Sequence, residues 1–206
     1  MIFANKKFWC FSLLLLVVNL SAAEKAAEVN KPSLAEEILK LVISGKGRDL
    51  PNKFKWVTVP FEKMPAVCQK DCANEIELYG KDSNFALVAY IDIDGDGTLE
   101  MLVTYRSYHG NGGRGYDLLT KRNGKWVKCG YLFGVYLSQT EFNGRRGLLE
   151  ESKCGCSERT HSFYELKNGK LVNSVKIKIE RSLNQSNPQL KIEVKASDES
   201  NFDYLF

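Results

Sequence analysis

Three Asn-Gly pairs that stand between alternating apolar runs constrain the fold of this chain more than any other sequence feature. They are Asn123-Gly124, Asn143-Gly144 and Asn168-Gly169, and alternating apolar residues flank them. Both central residues of a type I′ turn need a positive φ, which asparagine and glycine tolerate. An Asn-Gly pair between such segments therefore predicts a β-hairpin. We expect the C-terminal half of the chain to be a series of antiparallel hairpins.

A helix is predicted ahead of these hairpins. Ser33-Leu34-Ala35-Glu36 matches a capping box. Apolar residues then recur at helical spacing until Gly45, namely Leu34, Ile38, Leu41 and Val42. A second, short helix is predicted within 64–77, with Pro65 in its first turn. Together these patterns predict a single α+β domain over residues 33–206, with the N-terminal amphipathic helix packed on a largely antiparallel β-sheet.

The first 23 residues have the features of a secretory signal peptide. Lys6 and Lys7 are basic, the apolar run 8–20 is short for a bilayer-spanning helix, and residues 21–23 are small. Residues 24–32 are polar and alanine-rich and are predicted to form a flexible lead. The sequence therefore predicts a periplasmic or secreted protein that is not an integral membrane protein after signal cleavage.

Charge and cysteine content narrow the function classes. The formal net charge is +4, and basic residues are mixed with acids along the chain. The basic stripe that indicates nucleic-acid binding is therefore missing. One or two disulfides are predicted, because disulfides are the default in an oxidising compartment. Their pairing is left open among the five cysteines that follow the signal peptide: Cys68, Cys72, Cys129, Cys154 and Cys156. Because the number is odd, at least one thiol is free or joins another chain.

Cys154, Cys156 and His161 allow two further interpretations, as zinc ligands or as a cysteine–histidine catalytic pair. Zinc would need a fourth ligand such as Cys129, and the histidine lacks a visible orienting partner. The sequence also has no Gly-x-Ser-x-Gly and no His-Glu-x-x-His motif. Disulfides and an ordinary histidine are favoured, and no catalytic residue is assigned.

The stretch YIDIDGDGTLEMLV, residues 90–103, contains the strongest functional signal. Counted from the first aspartate, oxygen donors occupy positions 1, 3, 5, 7 and 9 and a glycine occupies position 6: Asp92, Asp94, Asp96, Thr98, Glu100 and Gly97. Calcium prefers about six to eight oxygen ligands, and a tight loop with alternating acids can supply them. Turn propensity explains one or two acids. Four acids so close together would repel one another without a counter-ion, so the pattern predicts a Ca²⁺ site.

This loop resembles the D-x-D-x-D-G-x-x-[DE] calcium loop of the FG-GAP and VCBS repeats, over residues 85–105 only. Its flanks read as strands, and Val103 stands where an EF-hand has its last acid. The resemblance implies that the ion is bound by four side chains and one carbonyl: those of Asp92, Asp94, Asp96 and Glu100, and that of Thr98. Propeller folds need several copies and this chain has one, so the resemblance does not extend to that fold. Single copies also occur in exported bacterial proteins.

Other metals fit the loop less well. Magnesium rarely uses an all-protein cage, and zinc would require nitrogen or sulfur ligands that are not nearby. The prediction is thus one structural, non-catalytic Ca²⁺ ion in a strand–loop–strand.

Two broader roles remain open beyond the ion. The glycine-rich segment 109–115 is predicted to be a surface loop, because no helix follows it to form a phosphate cradle. It would contact a protein partner in the cell envelope through Tyr108, His109 and Arg114, as in a periplasmic inhibitor or immunity-type module. The other role is a metal-assisted hydrolase in which the ion positions the substrate.

Overall fold

Antiparallel strands make up most of the described backbone. The computed structural model describes residues 32–48, 50, 54–110, 113–155, 157–181, 190–196 and 202–205. The chain divides into two compact units, Met1–Ser33 and Leu34–Phe206, and only Pro32 and Ser33 of the first unit are described. The predicted signal peptide, most of the predicted lead, Cys10 and Cys156 lie outside the described residues.

The first sheet uses strands from the middle of the chain. They are β1 (Val57–Pro60), β2 (Phe85–Ile91), β3 (Glu100–Thr104), β4 (His109–Gly110), β5 (Gly113–Arg122) and β6 (Lys125–Gly134). The six strands are antiparallel in the order β1-β2-β3-β5-β4, and β6 also pairs with β5. A register shift between Leu118 and Leu119 marks a bulge in the β5–β6 pair.

The second sheet uses the strands that follow. They are β7 (Tyr136–Phe142), β8 (Arg145–Cys154), β9 (Glu158–Lys167), β10 (Lys170–Arg181), β11 (Leu190–Ala196) and β12 (Phe202–Leu205). Their order in this six-stranded antiparallel sheet is β12-β11-β10-β9-β8-β7. The chain passes from β6 to β7 through Val135, whose N–H donates to the carbonyl of Glu151 at 2.7 Å.

The three predicted Asn-Gly hairpins are confirmed. Asn123, Asn143 and Asn168 have φ values of 50°, 51° and 52°. They lie in the turns that connect β5 to β6, β7 to β8 and β9 to β10. A positive φ at the first turn residue matches the twist of the two strands, which explains why these pairs specify hairpins.

Helices are few and short among the described residues. Helix α1 spans Leu34–Ile43 and buries Leu34, Ala35, Ile38, Leu39 and Val42. Helix α2 spans Gln69–Tyr79, after a 3-10 helix at Ala66–Cys68. Further 3-10 helices lie at Lys46–Arg48, Phe61–Lys63, Lys81–Ser83 and Arg106–Tyr108. In the part of the chain that the structure describes, no helix has the length and apolar character needed to cross a bilayer.

Alternation along the strands separates the two faces of the first sheet. One face packs against helix α2 and the segment that precedes it. The buried residues of this cluster are Phe61, Met64, Cys68, Cys72, Ala86, Val88, Met101, Val103, Tyr105 and Leu119. The other face joins the second sheet in a central cluster: Phe54, Ala89, Ile91, Ile93, Leu102, Leu118, Leu132, Leu137, Leu148 and Leu166. Burying one such side chain contributes about 1.5–3 kcal/mol, so the central cluster is a major source of stability.

The predicted fold class is wrong. The chain is not an α+β domain built from an N-terminal amphipathic helix packed on one sheet of hairpins. It is mostly antiparallel β-structure in two six-stranded sheets, and its two described α-helices are short. The error has a physical reason, because Asn-Gly turns report each hairpin separately but do not determine which hairpins share a sheet. That division depends on which strand faces are buried against each other.

Candidate metal centre

The acidic loop connects two neighbouring strands of the first sheet. It leaves β2 after Ile91 and enters β3 at Glu100, and these two residues are register partners. Ile93, inside the loop, is fully buried in the central cluster. The base of the loop is therefore anchored on both sides, while Asp94 and Asp96 are exposed.

Two glycine amides turn inward toward Asp92. The N–H of Gly95 donates to Asp92 Oδ1 at 2.7 Å, and that of Gly97 donates to Oδ2 at 3.2 Å. The φ values of Gly95 and Gly97 are 82° and 85°, a region that side-chain-bearing residues rarely adopt. The backbone thus wraps around the first aspartate. Each carboxylate oxygen keeps a second lone pair for a cation.

Glu100 is the most buried acid of the loop, with 1% of its surface exposed. Its Oε2 accepts a hydrogen bond from the N–H of Ile93 at 3.1 Å, and its Oε1 accepts one from Thr120 Oγ1 at 3.2 Å. Burial raises the pKa of Glu100; the hydrogen bond from Ile93 opposes this shift, and the charges of Asp94 and Asp96 add to it. These surroundings favour a proton or a cation at the Glu100 carboxylate.

Three carboxylates converge in the loop. One oxygen each from Asp92, Asp94 and Glu100 lies within 4.8 Å of the others. Calcium–oxygen distances are about 2.4 Å, so oxygens bound to one ion lie at most about 4.8 Å apart. Positions 1, 3 and 9 of the predicted ligand pattern therefore have a spacing that one cation can bridge.

The other two predicted ligands are placed differently. Asp96 lies outside this group, and its Oδ1 accepts a hydrogen bond from the N–H of Thr98 at 2.6 Å. The N–H of Asp96 donates to Asp94 Oδ1 at 3.3 Å. Thr98 is exposed. Ligation by the Asp96 side chain and by the Thr98 carbonyl stays a prediction.

Residues distant in sequence support the loop, and sequence reasoning missed them. Gln139 in β7 donates from Nε2 to the carbonyl of Asp92 at 2.5 Å, across 47 residues of chain. The side chain of Arg146 in β8 packs against Gly95 of the loop. If Gly95 had a Cβ atom, that atom would lie only 2.6 Å from the Nη1 of Arg146. The Nε of Arg146 donates to Glu141 at 3.0 Å. The second sheet therefore contacts the acidic loop directly, and no local sequence pattern signals this contact.

The residues predicted to bind a partner lie at the β4–β5 hairpin of the first sheet and, for Tyr108, directly before it in the 3-10 helix Arg106–Tyr108. His109 and Arg114 are register partners across β4 and β5. Burial lowers the pKa of His109, and the neighbouring charge of Arg114 lowers it further. The Tyr108 hydroxyl donates to Asp117 Oδ2 at 3.0 Å. Residues 111 and 112 of the glycine-rich segment lie outside the described residues, and partner binding stays a prediction.

The described cysteines are free thiols. Cys68 and Cys72 are buried, Cys129 is half-buried and Cys154 is exposed. Burial raises the pKa of Cys72 to about 11 and that of Cys129 to about 12, which disfavours the reactive thiolate. Cys156 is outside the described residues, so disulfide formation stays a prediction.

The described residues do not bring Cys154 and His161 into a zinc-like group. Where the structure describes side chains, the group of candidate ligands compact enough for a metal ion is Asp92, Asp94 and Glu100. Its all-oxygen chemistry fits a hard cation such as calcium better than zinc.

Comparisons with protein-family models, with curated proteins and with solved structures give no match for this chain.

Proposed function

We propose that this is an exported protein that binds one Ca²⁺ ion at residues 92–100, in a structural and non-catalytic role. The observation that carries the proposal is the convergence of the Asp92, Asp94 and Glu100 carboxylates within 4.8 Å. Export rests on the signal-like residues 1–23. Calcium matches the all-oxygen ligand set and the spacing of the acids.

The charges of the loop support a cation at this place. Glu100 is buried, and one of its carboxylate oxygens lies within 4.8 Å of a carboxylate oxygen of both Asp92 and Asp94, so like charges would repel one another here. A divalent ion offsets this repulsion without protonation. The hydrogen bonds from Gly95 and Gly97 already hold Asp92 in place, so ion binding would require little reordering.

The surroundings of the loop support a structural role over a catalytic one. Two cavities formed by described residues, of about 390 and 270 Å³, are lined by residues other than those of the loop. Gln139 ties the loop to the second sheet through the Asp92 carbonyl. An ion here would stiffen a contact between the two sheets and would not face either cavity.

Calorimetric titration of the full chain with calcium, after treatment with EGTA, tests the proposal. We expect one ion per chain for the wild type and at least a tenfold loss of affinity for Asp92→Asn, because a charged ligand becomes neutral. Asp82→Asn is the matched control, since it makes the same change in an exposed acid outside the loop. Absence of calcium binding by folded wild type, or equal loss in both variants, would contradict the proposal.

We also infer a second candidate function, an interaction module of the inhibitor type. Four large apolar residues in the segment 131–136, from β6 into β7, have 37–49% of their surface exposed: Tyr131, Phe133, Val135 and Tyr136. Exposed aromatic residues are enriched where proteins bind proteins. Cross-linking in envelope extract should give a defined adduct that Tyr131→Ser with Phe133→Ser abolishes. The control Tyr90→Ser removes an equally exposed tyrosine elsewhere and should keep the adduct.

A further inference from the structure

A cavity of about 390 Å³ lies where β2 begins and β3 ends. Its lining includes Asp82, Phe85, Leu87, Thr104, Arg106 and His109. Small-molecule sites typically measure about 300–1,000 Å³ and combine apolar walls with a few polar groups. This cavity is at the small end of that range, and it is separate from the acidic loop.

The floor of the cavity is mainly apolar, with the hydroxyl of Thr104 as a polar group. Leu87 and Thr104 are register partners on β2 and β3, and Phe85 follows the same face of β2 by strand alternation. Phe85 is 46% exposed, a large apolar surface left open to solvent. A ligand with an aromatic or aliphatic body would bury this surface and gain about 25 cal/mol for each Å² removed from water.

The positively charged side chain of Arg106 lies at the edge of this floor. Arg106 donates from Nη1 to Ser83 Oγ at 3.1 Å, and its guanidinium lies 4.7 Å from the centre of the Tyr79 ring. These two contacts position the side chain but use little of its hydrogen-bonding capacity, because a guanidinium has five N–H donors in a planar fork. Such a fork binds a carboxylate through two parallel hydrogen bonds.

The remaining polar groups restrict the charge of a ligand. Among the described residues, Arg106 forms no ion pair with Asp82, and its side-chain contacts are with Ser83 and Tyr79. Asp82 would repel a second negative charge on a ligand. His109 also lines the cavity and supplies a ring nitrogen for hydrogen bonding.

We propose that this cavity binds a monocarboxylate with an apolar body, with the carboxylate on Arg106 and the body on Phe85 and Leu87. The same chemistry occurs in a free organic acid and in the C-terminus of a peptide that ends in an apolar residue. The proposal stands independently of calcium binding.

Titration of the full chain with 3-phenylpropionate, followed by NMR, tests this site. We expect saturable shifts at residues 85–87 and 104–109, and binding at least tenfold weaker for the neutral amide 3-phenylpropionamide, because only the acid can use the Arg106 fork. The tripeptide acetyl-Gly-Gly-Phe separates the two sources: tighter binding than the free acid indicates a peptide C-terminus, and weaker binding indicates a small acid. Equal binding of the acid and the amide, or shifts elsewhere, would overturn the proposal.

Two variants complete the test. Arg106→Gln should weaken binding of 3-phenylpropionate at least tenfold, whereas Arg181→Gln makes the same charge change at an exposed residue of β10, outside the cavity lining, and should bind as the wild type does. If Arg106→Gln fails to fold, Leu87→Phe narrows the cavity while keeping Arg106 and should also weaken binding. Wild-type affinity in a folded Arg106→Gln or Leu87→Phe variant would overturn the assignment.

Discussion

Glu150 is a buried acid whose pKa lies near neutral pH. It is 4% exposed, and its Oε2 has no hydrogen-bond partner among the described residues. Burial raises the pKa of Glu150 to about 7, against the opposing hydrogen bonds from Tyr164 and Phe133. A raised carboxyl pKa means that the folded state binds the proton more tightly than the unfolded state does. The resulting stabilisation is complete below the unfolded pKa and is lost as the pH rises through about 7.

The wild type should become less stable as the pH rises through about 7, and the Glu150→Gln variant should lack this part of the pH dependence. Relative to the variant, the wild type should lose about 3 kcal/mol of unfolding free energy between acidic and mildly alkaline pH. Urea unfolding at a series of pH values measures this difference. A constant difference between the two proteins would show that Glu150 does not titrate in this range.

Glu165 is a useful control because its pKa is shifted down, whereas that of Glu150 is shifted up. Burial raises its pKa, but hydrogen bonds from Arg145, Ser174 and Lys167 outweigh burial and lower the pKa of Glu165 to about 2. Its contribution is present above the unfolded pKa and is lost as the pH falls toward about 2. The Glu165→Gln variant should accordingly be less stable than the wild type at neutral pH, and this deficit should shrink in acid.

In the acidic loop, the sequence motif and the folded structure predict different roles for one acid, and an experiment can distinguish the two predictions. The motif resemblance treats the acids at positions 3 and 5 alike. In the structure, Asp94 belongs to the converging group, whereas Asp96 accepts the N–H of Thr98. An asparagine at position 96 keeps the oxygen that accepts this hydrogen bond, so the turn should survive the substitution.

Asp94→Asn is therefore expected to weaken calcium binding by about tenfold or more, and Asp96→Asn by much less. Calcium titration of the two variants side by side is the measurement, with circular dichroism to check that both fold. Equal losses in the two variants would indicate that Asp96 ligates the ion directly, as the motif resemblance implies.

Local elements were predictable from the sequence because their signals are local. Asn143-Gly144 specifies its own turn through positive φ, and the spacing of Asp92, Asp94 and Glu100 identifies the loop. The rotamer of Asp96 depends on the backbone of the folded loop, so the residue pattern could not place its carboxylate. The division of the hairpins between two sheets, and the contact of Gln139 with Asp92, arise between segments distant in sequence. Nothing in the local pattern encodes those pairings.

At the scale of the whole molecule, the acidic loop links the two sheets. Its base belongs to the first sheet, and Gln139 reaches the Asp92 carbonyl from the second. If calcium stiffens the loop, the effect should pass to β7 through this hydrogen bond. At a free calcium concentration of 100 times Kd, binding should stabilise the fold by about 2.7 kcal/mol.

Hydrogen exchange with and without calcium can follow this effect along the chain. We expect calcium to slow amide exchange in residues 92–100 and also in β7. In Gln139→Leu, protection of the loop should remain, while the added protection of β7 should disappear because its hydrogen bond to the loop is lost. Unchanged protection of β7 in this variant would show that the two sheets respond to the ion by another route.

The passage from β6 to β7 at Val135 also has a consequence for biogenesis. Every described strand of the first sheet precedes Val135, and every described strand of the second follows it. A chain emerging N-terminus first, from a ribosome or a translocation pore, can complete all pairings of the first sheet before the second is available. The face bearing Ala89, Leu102 and Leu118 would then wait uncovered for its partner strands. During that interval, the apolar side chains of this face would be exposed to water.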